Sequence, residues 1–320
     1  MEAQPTGLSR EALIDAILDF LADQDLLTLQ DIRAALEREV DGAGPDALLD
    51  LKARLVADNG WDYYPRDPLA QRIHHLLADR FLAYGSEVRE AHHLLRVGNA
   101  PVVIIANHLS YADADANVIE VLLQRAGGTV LANRLTALAG PKVFTSRERR
   151  FSSLCFGTVK VPQSAEVASG EAVLNGREVA RAARRSIDIA RARLREGDAL
   201  LLFGEGTRSR PGAMQSMLAG ASRYLDVPWH VGAPRGVDRL GSVVSGGSLD
   251  APSGPVVLQV GRPLLAGVLV DRANGDRHLV MDAIGLAVAE ALPVEYRGVY
   301  RDTAGFPDAK SVLHDSRDPA

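Results

Sequence analysis

The sequence holds one cysteine, Cys155. No internal disulfide can form, and a reducing compartment such as the cytoplasm is the expected setting. No run of about 18 apolar residues occurs, so no segment is expected to span a bilayer. The N-terminus has no basic stretch followed by an apolar one, which argues against a secretory leader. Net charge is −5 and the isoelectric point is near 5.9, so the overall basic character of a nucleic-acid binder is missing. Several catalytic signatures are missing too. Ser222, in Gly220-Ala221-Ser222-Arg223-Tyr224, lacks the second glycine of a hydrolase elbow. Gly204-Glu205-Gly206 is followed by Ser209 where a dinucleotide fingerprint needs glycine, and no P-loop lysine follows. His74-His75 and His92-His93 are adjacent pairs rather than i, i+4 pairs, so they read as helix-surface residues and no metal is expected.

What is there is ordinary globular composition over 320 residues, enough for one large domain and a smaller one. Residues 1–64 read as a small bundle of helices. Ser9 is a candidate N-cap ahead of Leu13, Ile14, Ile17, Leu18 and Leu21 at helical spacing. Thr28 is a candidate cap for a second helix with Ile32, Ala35 and Leu36 on one face. Pro45 opens a third, carrying Leu48, Leu49, Leu51 and Leu55. Trp61 to Pro68 reads as a linker by composition.

Residues 65–300 then alternate. Ile73, Leu76, Leu77, Arg80, Phe81 and Tyr84 predict a helix, as do Asp115 to Arg125, Glu178 to Arg195 and Arg277 to Leu292. Strands are expected at Val102 to Ala106, Thr129 to Ala132, Thr158 to Val161, Ala199 to Phe203, Trp229 to Val231 and Val256 to Val260. This alternation predicts an α/β fold, with a mixed, mostly parallel sheet flanked by helices and preceded by the N-terminal bundle. Residues 301–320 read as a poorly ordered C-terminal tail.

Two segments follow apolar strands and carry chemistry. The first is Asn107-His108-Leu109-Ser110-Tyr111-Ala112-Asp113. Ligands of open α/β sheets sit beyond the carboxyl ends of strands. A histidine there can take the proton of an acceptor hydroxyl, helped by a carboxylate that fixes its tautomer. Read alone, His108 could equally be a strand-end residue with a satisfied hydrogen bond, and Asp113 a helix cap. The second is Phe203-Gly204-Glu205-Gly206-Thr207-Arg208-Ser209-Arg210, expected at the same sheet edge. Its glycines permit a tight turn with close backbone approach. Arg208 and Arg210 are guanidinium forks suited to phosphate, and Glu205 can orient them or the acceptor.

Together these segments resemble the NHx4D and FPEGTRSR blocks of the glycerol-phosphate and lysophosphatidate acyltransferase family. The likeness covers about residues 100–235. Leu138 to Phe144 is a looser likeness to the second block, and Val227-Pro228-Trp229-His230-Val231 to the fourth. The resemblance implies His108 as general base and Asp113 as its partner. It implies Glu205, Gly206, Thr207 and Arg208 as contacts of the acceptor phosphate, with Arg210 nearby. Gly204 departs from the family's proline. The second block lacks a clean match to the family's arginine, which leaves open whether Lys142, Arg147 or another residue fills that role.

A helical N-terminal domain ahead of the α/β domain is similar to the plastid-type glycerol-3-phosphate acyltransferases. The implied reaction is direct attack of the acceptor hydroxyl on an acyl thioester, with no acyl-enzyme and no cofactor. The co-substrate is a thioester of coenzyme A or of acyl carrier protein, and a lysophosphatidate acceptor is the alternative. Arg147, Arg149, Arg150 and the helix from Arg177 to Arg195 are candidate docking groups for an acidic carrier or an anionic membrane surface, against the plain reading of solvated helix faces. The implied location is cytoplasmic, with a peripheral position on the inner face of the membrane compatible with it.

Overall fold

A computed structural model describes residues 9–23, 29–58, 60–82, 85–95, 101–108, 115–145, 147–162, 176–207, 213–225, 239–247 and 256–317. In chain order the elements are α1 (Arg10–Asp23), α2 (Leu29–Val56), β1 (Tyr63–Tyr64), α3 (Pro68–Phe81), β2 (Glu87–Arg89), α4 (His92–Leu95) and β3 (Val102–Ala106). There follow α5 (Asp115–Arg125), α6 (Thr129–Ala132), β4 (Leu135–Ala139), α7 (Arg147–Leu154), β5 (Gly157–Lys160), α8 (Gly176–Arg195) and β6 (Ala199–Phe203). The last are β7 (Arg239–Gly247), β8 (Val256–Val260), β9 (Leu264–Leu265), α9 (Ala266–Arg272), α10 (Arg277–Glu290) and α11 (Pro307–Ser316).

One sheet organises the described residues, in the order β1-β5-β4-β6-β3-β7-β8-β2 with β9 beside β7. The central run β5-β4-β6-β3-β7 is parallel, as is β8-β2, while β1, β8 and β9 pair antiparallel to β5, β7 and β7. The mostly parallel α/β sheet expected from the alternation is therefore what forms.

Side chains alternate across a strand, so each central strand feeds two cores. Val102, Ile104 and Ala106 of β3, with Ala199 and Leu201 of β6, join the buried residues of α1, α2, α3 and α5. Val103, Ile105, Leu200 and Leu202 join those of α8, α9, α10 and α11. All five residues of β3 are buried, the condition of a parallel strand covered on both faces. The N-terminal helices thus pack into the same core as one face of the sheet.

The local signals explain most element boundaries. The Ser9 hydroxyl accepts from the backbone N–H of Ala12 at 3.0 Å, capping α1. Asp67 Oδ1 accepts from the N–H groups of Leu69 (2.9 Å) and Ala70 (3.0 Å), with Pro68 as first helical residue of α3. The helix expected from Pro45 is the second half of α2, which kinks where Gly44 takes φ 83°. The candidate cap Thr28 lies outside the described residues, as does the strand expected at Trp229 to Val231.

Three expectations are corrected. Thr129 to Ala132 is the one-turn helix α6 rather than a strand. Ala132 N–H donates to Gly128 O and Asn133 N–H to Thr129 O, both at 2.9 Å, so the run closes helical hydrogen bonds. The strand of this region is β4, which begins three residues later. The linker by composition supplies β1, whose Tyr63 and Tyr64 pair with Val159 and Thr158. The C-terminal stretch is not structureless: α11 buries Ala309, Val312, Leu313 and Ser316 against α9 and α10.

Candidate active site

β3 and β6 are adjacent and parallel, with Ala106 opposite Phe203 as the last pair. Both chains leave the sheet at that edge, β3 toward β4 on one side and β6 toward β7 on the other. Ligands of open α/β sheets sit beyond the carboxyl ends of the strands. His108 and Glu205 each stand two residues beyond the last pair, so the two sequence blocks do meet there.

The contacts join them directly. The His108 ring stacks on Phe203 with centroids 4.0 Å apart and planes 15° apart. The His108 backbone N–H donates to the Glu205 carboxylate. A second donor, the N–H of Gln215, reaches Glu205 Oε2 at 2.7 Å. Glu205 is buried, and burial pushes its carboxyl above the usual glutamate range against the pull of these two N–H groups and of His108. Its acceptor capacity is thus used to hold the strand-end loops together beside the imidazole. His108 itself is half-buried, and the adjacent Asn107 is buried.

The turn after β6 explains the departure from the family's proline. Gly204 N–H donates to Ala106 O at 3.2 Å and Gly204 O accepts from Leu218 N–H at 2.9 Å. A Cβ at Gly204 would stand 2.3 Å from Met217 Sδ. Proline would forfeit the first bond and collide with Met217. Gly206 takes φ +67° with Leu218 against it, the left-handed conformation that favours glycine. Met217 is held in turn: its N–H donates to Tyr300 Oη at 2.9 Å, and Tyr300 donates to Asp282 Oδ1 at 3.0 Å. Tyr300 is fully buried, so α10 and the chain after it brace the site from below. Residues 213–218 and Tyr300 were invisible to motif reasoning, because nothing local marks a backbone N–H as a carboxylate's partner.

Thr207 is half-buried in the same turn. Lys142 is exposed on the helical turn Pro141–Phe144 that follows β4, the neighbour of β6, so it shares the sheet edge. Asp113, Arg208 and Arg210 lie outside the described residues. Among the candidate docking arginines, Arg150 is not a surface group. It is buried, donates to Arg54 O at 3.0 Å, and lies over the Tyr64 ring at 4.1 Å. It ties α7 to α2 and β1. The exposed arginines are Arg147 on α7 and Arg177, Arg181, Arg184, Arg185 and Arg195 on α8, with Arg185 facing Asp62 at 3.3 Å.

Residues 83–235 match the Acyltransferase family. That segment contains β3 and β6, and the match supports general acyl transfer. No curated protein matches the chain. Among the described residues no helix is long and apolar enough to cross a membrane.

Proposed function

We propose that this protein is a glycerol-3-phosphate 1-O-acyltransferase of phospholipid synthesis. The observation that carries the reading is the junction of His108, Phe203 and Glu205 at adjacent strand ends inside the acyltransferase-family segment. His108 takes the proton of the acceptor hydroxyl as that oxygen attacks the thioester carbonyl. Asp113 holds the imidazole in the working tautomer and stabilises the imidazolium. The tetrahedral intermediate collapses with loss of the thiolate, which takes the proton back from His108. Ester and free thiol leave, and no covalent enzyme intermediate forms. The acceptor phosphate binds the turn Glu205-Gly206-Thr207-Arg208, with Arg210 and Lys142 nearby and Glu205 fixing the turn from beneath.

A water-soluble acceptor agrees with the helical N-terminal region ahead of the α/β sheet. The spelling Glu205-Gly206-Thr207-Arg208 favours the second reading, acylation of 1-acylglycerol 3-phosphate. The acyl donor is a thioester of coenzyme A or acyl carrier protein, and the exposed arginines of α8 are the docking face proposed for an acidic carrier. The deciding experiment incubates the purified chain with a labelled acyl thioester and offers glycerol 3-phosphate and lysophosphatidate separately. Label in lysophosphatidate from the first acceptor supports the proposal; label only in phosphatidate from the second replaces it. No product with either acceptor leaves a catalytically silent lipid-binding protein of this fold.

A further inference from the structure

The histidines that read as helix-surface residues include one that is buried. His74 of α3 is 4% exposed, and its Nε2 lies 2.9 Å from Oε2 of Glu120 on α5, which is fully buried. His75 brings its own Nε2 to 3.0 Å from Oε1 and 3.3 Å from Oε2 of the same carboxylate. Two neighbouring residues of one helix normally point about 100° apart. Here both rings turn onto a single carboxylate from the facing helix.

We propose that His74, His75 and Glu120 form a binding site for one divalent transition-metal ion of the zinc class, which would pin α3 to α5. The donor set is two imidazole nitrogens and one carboxylate oxygen, and the three ligand atoms lie within 4.8 Å of one another. A tetrahedral ion with bonds of about 2.0–2.1 Å wants its ligand atoms about 3.3 Å apart. The nitrogen–oxygen separations of 2.9 to 3.3 Å need only small side-chain movements to reach that. Hard cations such as magnesium prefer oxygen-rich shells, so imidazole selects the zinc class.

Two further features fit a site rather than a chance contact. Gln124, one turn along α5, donates from Nε2 to Glu120 Oε1 at 3.2 Å and also to Asn133 Oδ1 at 3.1 Å, orienting the carboxylate from outside. The side chain of His75 is 39% exposed, which gives an ion its way in and leaves a fourth position for water. The other histidine-rich group, Glu90, His92 and His93, lies nearer the surface. Its Glu90 and His92 side chains are about half exposed, and its two histidines open the one-turn helix α4. It serves as the internal control.

The test uses the full chain, stripped with chelator and titrated with zinc(II) alone by calorimetry, with cobalt(II) as spectroscopic probe. The expected result is one equivalent of zinc per chain, a raised melting temperature, and the visible absorption of tetrahedral cobalt(II). His75→Ala, at a partly exposed position, should weaken zinc by more than the roughly 10–100-fold that loss of an outer-shell partner costs. Glu120→Gln, of similar volume, should abolish the cobalt signature. The double variant His92→Ala, His93→Ala should bind as wild type does. No uptake, uptake undiminished in both His75→Ala and Glu120→Gln, or loss only in the His92/His93 variant would each overturn the assignment.

Discussion

At the scale of single residues, the site rests on a few unequal contributions. His108 brings to the junction an imidazole, the side chain suited to take up and return a proton within one catalytic cycle. His108→Ala should lower kcat by about 10²–10⁴-fold while circular dichroism and acceptor affinity hold. Activity within tenfold of wild type would remove His108 as the base. Glu205 has a different signature. Its carboxyl is raised by burial, so the folded state holds its proton more firmly than the unfolded chain does. The stability this gives is present below the ordinary glutamate range and is lost as pH rises through the raised folded value. Glu205→Gln should therefore gain on wild type in thermal stability as pH rises from 4 to 8, against a pH-independent cost from the acceptor oxygen it loses. Melting curves across that range, run beside activity assays, separate the two effects; a gain independent of pH would contradict the electrostatic account. Cys155 completes the residue picture. It is buried, with burial pushing its thiol up, so it should resist alkylation in the native protein.

Among the elements, α11 has the clearest energetic consequence. Leu313 is 2% exposed in the core beneath the sheet, where Tyr300 also lies. Leu313→Ala should cost about 2–5 kcal/mol, measured by denaturant unfolding. A cost under about 0.5 kcal/mol would mean that α11 does not pack there in solution. The same elements show where sequence reading succeeds. α5, β3, β6 and β8 carry apolar runs of the right length between clear breakers, and they fall where periodicity puts them. Thr129 to Ala132 misleads because four apolar or β-branched residues fit one helical turn as well as a short strand. The stretch after Tyr300 misleads because its apolar positions are few and its partners, in α9 and α10, are some tens of residues away. His74 and His75 mislead for the same reason: Glu120 lies 46 and 45 positions along the chain. The two sequence blocks at the strand ends were legible because each is contiguous; their brace, from Gln215 through Met217 to Tyr300, was not.

Over the whole molecule, net charge and local charge disagree. The chain carries −5, yet α8 presents five exposed arginines. An acidic carrier protein would be repelled by the average and steered by that face, an effect confined to about one Debye length, roughly 8 Å at physiological salt. Arg181→Glu with Arg184→Glu should raise KM for acyl carrier protein thioesters several-fold, leave kcat unchanged, and flatten the dependence of KM on salt. An unchanged KM would return α8 to the role of a solvated helix.

The stacking of His108 on Phe203 also gives the site a built-in spectroscopic reporter. Protons held over an aromatic face feel its ring current, and with centroids 4.0 Å apart the imidazole carbon-bound protons of His108 should resonate upfield of free histidine. Phe203→Leu should return them to ordinary positions. In the native protein the same resonances would follow the protonation of one chosen imidazole among eight histidines, with no label introduced.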